Sequence, residues 1–256
     1  MTITGGHADV ARGWTRPLLA FASLFVVYQA AEGLQTVFAP SSALGPSMML
    51  VALLLAWPLG RWLGWRGYDA YGLDLSWRSG RLLGGGLLLA VLAKPAALAC
   101  GLALGVYGVA SGSTPEATAA TVAAGALVTF VPSITEDILT RGFLLRSSPL
   151  RLGFWSYTLA SAALYTANHI WRLDWGLTEQ LRLFCFGLAY GAAAWRWDSL
   201  WGAVALHWGW NYSNLLAQQY IPLDGSSVTG VRLVSAGVHL VLLGIVLLTH
   251  PRRRIE

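Results

Sequence analysis

Charge is scarce in this chain: Asp, Glu, Lys and Arg together make up 11% of its 256 residues. A soluble domain usually spends about a quarter of its residues on them. No polar stretch is long enough to form a second, soluble domain, so a single membrane-embedded unit over residues 1–256 is expected. Cysteine is nearly absent too. Cys100 and Cys185 lie far apart in apolar runs, which excludes a disulfide framework or a cysteine-based metal site, and each is expected as a buried small hydrophobe. Fixed-period repeats and low-complexity tracts are missing as well.

What fills the chain instead is hydrocarbon, at 55% hydrophobic residues and a mean hydropathy of +0.55. A spanning helix needs about 20 mostly apolar residues. Eight runs qualify, at roughly 17–38, 43–63, 83–109, 118–146, 153–170, 179–196, 199–217 and 231–250, with ends uncertain by ~2–4 residues. The fold class expected is therefore all-α, a polytopic membrane helix bundle of about eight spans. The stretch "GYDAYGLDLSWRSGR" mixes Trp, Tyr and charge, as an interfacial segment would. Most tryptophans fall at span ends, as aromatic belts require. The first span is expected to be a retained helix rather than a cleaved signal peptide, given its length and Glu32 and Gln35 near its end.

Basic residues give an independent test of topology. With both termini cytoplasmic, Arg12, Arg16, Arg61, Arg66, Arg78, Arg81, Arg146, Arg151, Arg196, Arg252, Arg253 and Arg254 fall on the inner side, and only Arg172, Arg182 and Arg232 on the outer. That distribution obeys the positive-inside rule, and adding or removing one span would scramble it. The net charge of +5 therefore reads as orientation in the bilayer, and no nucleic-acid partner is implied.

Ionisable groups inside spans are costly and usually face a bundle interior or a wet cavity. Here most of them gather in three runs. In "PSITEDILTRGFLLR", Asp137 and Arg141 are four apart and share a helical face, while Glu136 points elsewhere. In "ALYTANHIW", Tyr165 and His169 have the same spacing, and in "LHWGWNYSN" so do His207 and Asn211. Helix rise places Glu136, His207 and Asn211 at roughly 10–17 Å from the cytoplasmic end, but His169 at roughly 20–25 Å, the least comfortable of the set. Other polar residues have plainer readings. His239 is a packing residue, His7 and His250 are solvated near the ends, and Glu32 and Lys94 pair with each other or snorkel. Asp137 with Arg141 reads equally well as a structural ion pair. That plain reading handles badly the coincidence of Glu, His, and His with Asn on three helices.

A buried Glu beside one His can hold and deprotonate a water, and a second His with an Asn can donate to a developing oxyanion. Those are the parts needed to attack an amide. No zincin "HExxH", no "GxSxG" elbow, no paired membrane aspartates and no Gly-flanked Ser of a rhomboid-type dyad is present.

At these residues the chain resembles the CPBP intramembrane proteases, also called the CAAX protease and bacteriocin-processing, or Abi, family, which includes the Ras-converting CAAX prenyl endopeptidase. "TEDILTRGFLLR", "ALYTANHI" and "DSLWGAVALHWGWNYSN" resemble its three motifs, Glu-Glu-x-x-x-Arg, Phe-x-x-x-His and His-x-x-x-Asn, in order. The resemblance covers about 118–217, which it marks as the catalytic core. It implies Glu136 as the water-activating carboxylate, His169 as its partner, and His207 with Asn211 as oxyanion donors, supported by Asp137, Arg141 and Tyr165. Two departures stand out: Asp137 replaces the usual second Glu, and Tyr165 the usual Phe.

The resemblance leaves a choice of chemistry. Glu136, His169 and His207 would make an acceptable three-ligand zinc set with water in the fourth position. The metal-free, glutamate-type mechanism is preferred, with no cofactor. The function expected is an intramembrane endopeptidase acting on a membrane-anchored or lipidated protein or peptide. The alternative is a non-catalytic binding, maturation or immunity factor on the same scaffold. A transporter is disfavoured, because the polar groups form one local cluster without repeated broken helices. Size and resemblance, rather than any targeting signal, point to a prokaryotic cytoplasmic membrane.

Overall fold

A computed structural model describes residues 5–38, 43–110, 116–225 and 227–249. The side chains of residues 5–12 and 225, and the tail holding Arg252, Arg253, Arg254 and His250, lie outside what is described, as do those of His7 and Arg12. Eight helices run through the described chain: α1 Gly5–Gly33, α2 Leu44–Trp62, α3 Trp77–Ala103, α4 Ala119–Asp137, α5 Phe154–Asn168, α6 Leu177–Arg196, α7 Leu200–Tyr220 and α8 Val228–Leu248. α1 continues into a wider π turn over Leu34–Phe38, and α4 into a longer one over Ile138–Ser147.

The all-α expectation holds with one addition. The third run, expected to stay helical to residue 109, stops at Ala103, and Tyr107–Val109 (β1) pairs antiparallel with Leu223–Gly225 (β2). Gly105, at φ +67°, sits in the turn between helix and ribbon, a conformation that costs glycine little. The ribbon ties the α3 exit to the link between α7 and α8.

Among the described residues, five helical segments are long and apolar enough to cross a membrane: Gly13–Phe38, Leu44–Trp62, Trp77–Ala103, Ala119–Ser147 and Val228–Leu248. The other three are α5, α6 and α7. α5 has 15 residues, roughly 22 Å at helical rise, against a hydrocarbon core of about 30 Å. α6 and α7 are long enough but carry Glu179, Arg182, His207 and Asn211.

Polarity is turned inside out. Leu88, Leu92, Leu127, Val128 and Val241 are each at least 60% exposed on the outer faces of α3, α4 and α8, whereas Glu32, Lys94, Glu136, Asp137, Arg141, His169 and His207 are all buried. Large apolar side chains that face outward fit lipid as the surrounding solvent. α7 packs against α3, α4 and α6, and α6 also against α5 and α8, while α1 lies along α2. Close approach depends on small residues, as is common between membrane helices. A Cβ on Gly86 would sit 2.6 Å from that of Ala205, so α3 and α7 could not meet as they do with anything larger there.

One expectation is corrected. Cys185 is buried, but Cys100 is exposed, because it falls on the outward face of α3. Among the tryptophans, Trp57, Trp62, Trp65, Trp77 and Trp155 are exposed, while Trp210 is buried in the core. The "GYDAYGLDLSWRSGR" stretch is exposed in part and buried in part. Leu75 and Trp77 are exposed, but a short turn at Tyr68–Tyr71 plugs one end of the bundle, with the buried Tyr71 hydroxyl donating to Ala56 O at 2.9 Å. Opposite it, Gly142 lies so close that a Cβ would come within 2.8 Å of Tyr71 O, which accounts for the glycine in "TRGFLLR".

Candidate active site

α4 begins with a reciprocal capping box, Thr118 and Thr121 each satisfying the other's backbone N–H. Deeper in, hydroxyls bond back one turn: Thr129 Oγ1 to Gly125 O, Ser133 Oγ to Thr129 O and Thr135 Oγ1 to Val131 O, at 2.7–2.8 Å. Such bonds keep hydroxyls satisfied where water is scarce. Glu136 and Asp137 follow immediately, at the junction with the π turn. π turns are uncommon, and many occur at functional sites.

α5 delivers His169 by ending. The backbone leaves the helical region there (φ −87°, ψ 51°), and a tight 3-10 turn carries the chain through Ile170–Trp175 to Gly176. His169 therefore caps the helix instead of riding farther up it.

Glu136 is the meeting point. Its Oε1 lies 3.4 Å from His169 Nε2 and its Oε2 lies 3.6 Å from His207 Nε2. Each imidazole is oriented through its other nitrogen. His169 Nδ1 donates to Tyr165 O at 2.8 Å, and because a carbonyl can only accept, that nitrogen carries the proton. His207 Nδ1 bonds Asp137 Oδ1 at 3.0 Å, and Asp137 is also ion-paired with Arg141, both fully buried. In the neutral rings both Nε2 atoms then turn lone pairs towards a carboxylate. Three acceptors face one another, an arrangement that calls for a shared proton or a water between them.

Around this centre the packing is aromatic. Arg141 lies over the rings of Tyr165 at 4.4 Å and Tyr190 at 5.1 Å, which stabilises a buried cation. Tyr190 also stacks on His207, with ring centroids 5.1 Å apart. The Tyr165 hydroxyl lies 3.5 Å from His207 Nε2, at the limit of a hydrogen bond.

A cavity of about 120 Å³ opens beside the carboxylate, lined by Glu136, His169, His207, Asn211, Tyr165 and Ser133 among others. It is large enough for several waters. Of the residues singled out from sequence, Glu136, Asp137, Arg141, Tyr165, His169 and His207 thus form one connected group. Asn211 lines the same cavity, but its Nδ2 donates to Ser133 Oγ at 3.1 Å rather than to the histidines.

Other members of the group escaped the sequence reading. Asn168 Nδ2 donates to Glu136 Oε1 at 3.3 Å. Glu32 pairs with Arg172 at 3.1 Å, not with Lys94, and both line the cavity. Lys94 instead donates to Asn214 Oδ1 at 2.7 Å and lies over the Trp210 ring. A signal existed for Asn168, which directly precedes His169 in "YTANHI". For Arg172 there was none, since an arginine in a loop reads as solvated.

The donor types of Glu136, His169 and His207 suit zinc, and both Nδ1 atoms are engaged as metal-bound imidazoles require. Among the described residues, however, no three His, Cys, Asp or Glu side chains are grouped so that they could hold a metal ion. No step below passes through a metal.

Fold and site together define a multi-pass helical membrane protein whose polar side chains converge on a buried carboxylate–imidazole centre. The family model for type II CAAX prenyl endopeptidase Rce1-like proteins matches residues 118–213. This bears out the likeness to the CPBP, or CAAX protease, family that the three motifs carry, and over this segment the chain is similar to that family of proteases. No curated protein matches the chain in a sequence search.

Proposed function

We propose that the chain is an intramembrane endopeptidase that hydrolyses a peptide bond of a membrane-anchored or lipidated protein near its C-terminal anchor. The observation carrying this reading is the convergence of Glu136, His169 and His207 from three helical segments onto one small cavity. The family likeness over residues 118–213 supports it.

In the proposed reaction Glu136 takes a proton from a water held between its carboxylate and His169 Nε2, and the hydroxide attacks the carbonyl. His207 and Asn211 face the developing oxyanion. Donation from His207 Nε2 requires the doubly protonated ring, with Asp137 accepting from one N–H and the substrate oxygen from the other. Asn211 Nδ2 must turn from Ser133 to join it. Glu136 then returns its proton to the leaving amine. Arg141 balances the charge of Asp137 and holds it against His207.

The finer topology belongs to the same proposal. All eight helices cross or enter the bilayer, both termini are cytoplasmic, and the membrane is a prokaryotic cytoplasmic one. The excess of Arg on the inner side supports this orientation.

The test is cleavage of a membrane-anchored substrate by the reconstituted protein. Glu136→Ala should stop hydrolysis while the variant keeps the wild-type unfolding midpoint. Cleavage at the wild-type rate by that variant would leave a binding or maturation factor as the better reading. A chelator should leave activity intact; loss restored only by zinc would replace the glutamate-type mechanism with a metal-dependent one.

A further inference from the structure

Glu136 is flanked on both sides by imidazoles, but the hydrogen bond that aims it comes from elsewhere. Asn168, fully buried, donates from Nδ2 to Glu136 Oε1 at 3.3 Å. An amide side chain can be flipped, so something must decide which end faces the carboxylate. Gln29 on α1 decides it. Its Nε2 donates to Asn168 Oδ1 at 2.8 Å and to Asn168 O at 2.7 Å. With its oxygen engaged by a donor, Asn168 has only its NH₂ to offer Glu136. Gln29 is itself buried, and its backbone oxygen accepts from Trp171 Nε1 at 3.0 Å, which ties α1 to the turn that carries His169.

We propose that Asn168 is a positioning residue for Glu136, and that Gln29 sets Asn168 from α1, outside the three motif-bearing helices. The inference rests on the hydrolytic reading of Glu136 given above. Pinning Oε1 to an amide N–H fixes the carboxylate with Oε1 towards His169 and the water held there, and Oε2 towards His207. It also removes rotation of the carboxylate about its terminal bond, an ordering that a catalytic group needs before substrate arrives. α1 is in this view part of the site, and not only a membrane anchor.

Two measurements test the relay. In nanodiscs, isotope-edited infrared spectra of the full chain, taken as wild type minus Glu136→Gln, isolate the Glu136 carboxyl band. Asn168→Leu and Gln29→Leu should each shift it. In turnover of a membrane-anchored peptide, Asn168→Leu should lower kcat by up to about 10²-fold and Gln29→Leu by about tenfold, with KM within about twofold. Because Gln29 acts through Asn168, the double variant should be no worse than Asn168→Leu alone.

An unmoved band, a loss carried by KM, or losses that multiply in the double variant would each overturn the relay. Wild-type protein that fails to cleave, or Glu136→Gln that cleaves normally, would instead sink the hydrolytic reading. In that case the infrared band alone decides whether Asn168 orients Glu136.

Discussion

Two histidines lie on either side of Tyr190, and their surroundings differ in one respect that matters. His239, on α8, is closed off: Nδ1 donates to Ser235 O at 2.8 Å, Nε2 meets the Tyr190 hydroxyl at 2.7 Å, and the ring stacks on Phe186 with centroids 3.5 Å apart. His207, on α7, stacks on the same tyrosine and anchors Nδ1 on Asp137. Its Nε2, however, has only loose neighbours, at 3.5 and 3.6 Å, and lines the cavity. Both rings are buried, and both sit in apolar helices. A buried histidine becomes available for chemistry when one nitrogen is fixed and the other is left facing a carboxylate and space for water. Lys94 belongs with His239, since Asn214 and the Trp210 ring satisfy it away from the carboxylate.

This contrast can be broken at several points. The largest effect is expected at Glu136: Glu136→Gln keeps the shape but removes the base, and kcat should fall about 10³-fold in a reconstituted peptidase assay. Next comes Arg141→Leu, which leaves Asp137 buried without its cation and should cost about 3–5 kcal/mol, read as a lowered unfolding midpoint in detergent. The two histidines should then separate cleanly. His207→Gln should lower kcat about 10²-fold, whereas His239→Gln should leave turnover close to wild type; equal losses would erase the distinction drawn here. Smallest of all, Tyr165→Phe removes a hydroxyl at the edge of hydrogen-bonding range and should change kcat by no more than about threefold. A much larger loss would make that hydroxyl a participant in the reaction.

The motif helices were legible because two simple rules apply to them. Hydrocarbon runs of sufficient length mark spans, and polar residues at a spacing of four share a face. Asp137 with Arg141 came directly from that spacing. The same rule holds for Tyr165 and His169, whose ring centroids lie 4.8 Å apart. What the spacing did not reveal is that the helix ends at His169, whose ring lies beside Glu136. Glu32 shows a different limit: its partner Arg172 lies 140 residues away in a turn, and no local pattern links them.

Sequence alone determined that this chain is a bundle of apolar helices and marked Glu136, His169, His207 and Asn211 as candidate site residues, because burying polar groups in lipid is costly enough to make them stand out. Tertiary structure alone decided how those groups meet: that Asp137 holds His207, that Asn211 rests on Ser133, that Asn168 at the end of α5 reaches Glu136, and that Gln29 on α1 reaches Asn168. Hydrogen bonds between distant helices depend on where each helix stops and how closely it packs, and neither is written in the spacing of residues along one helix.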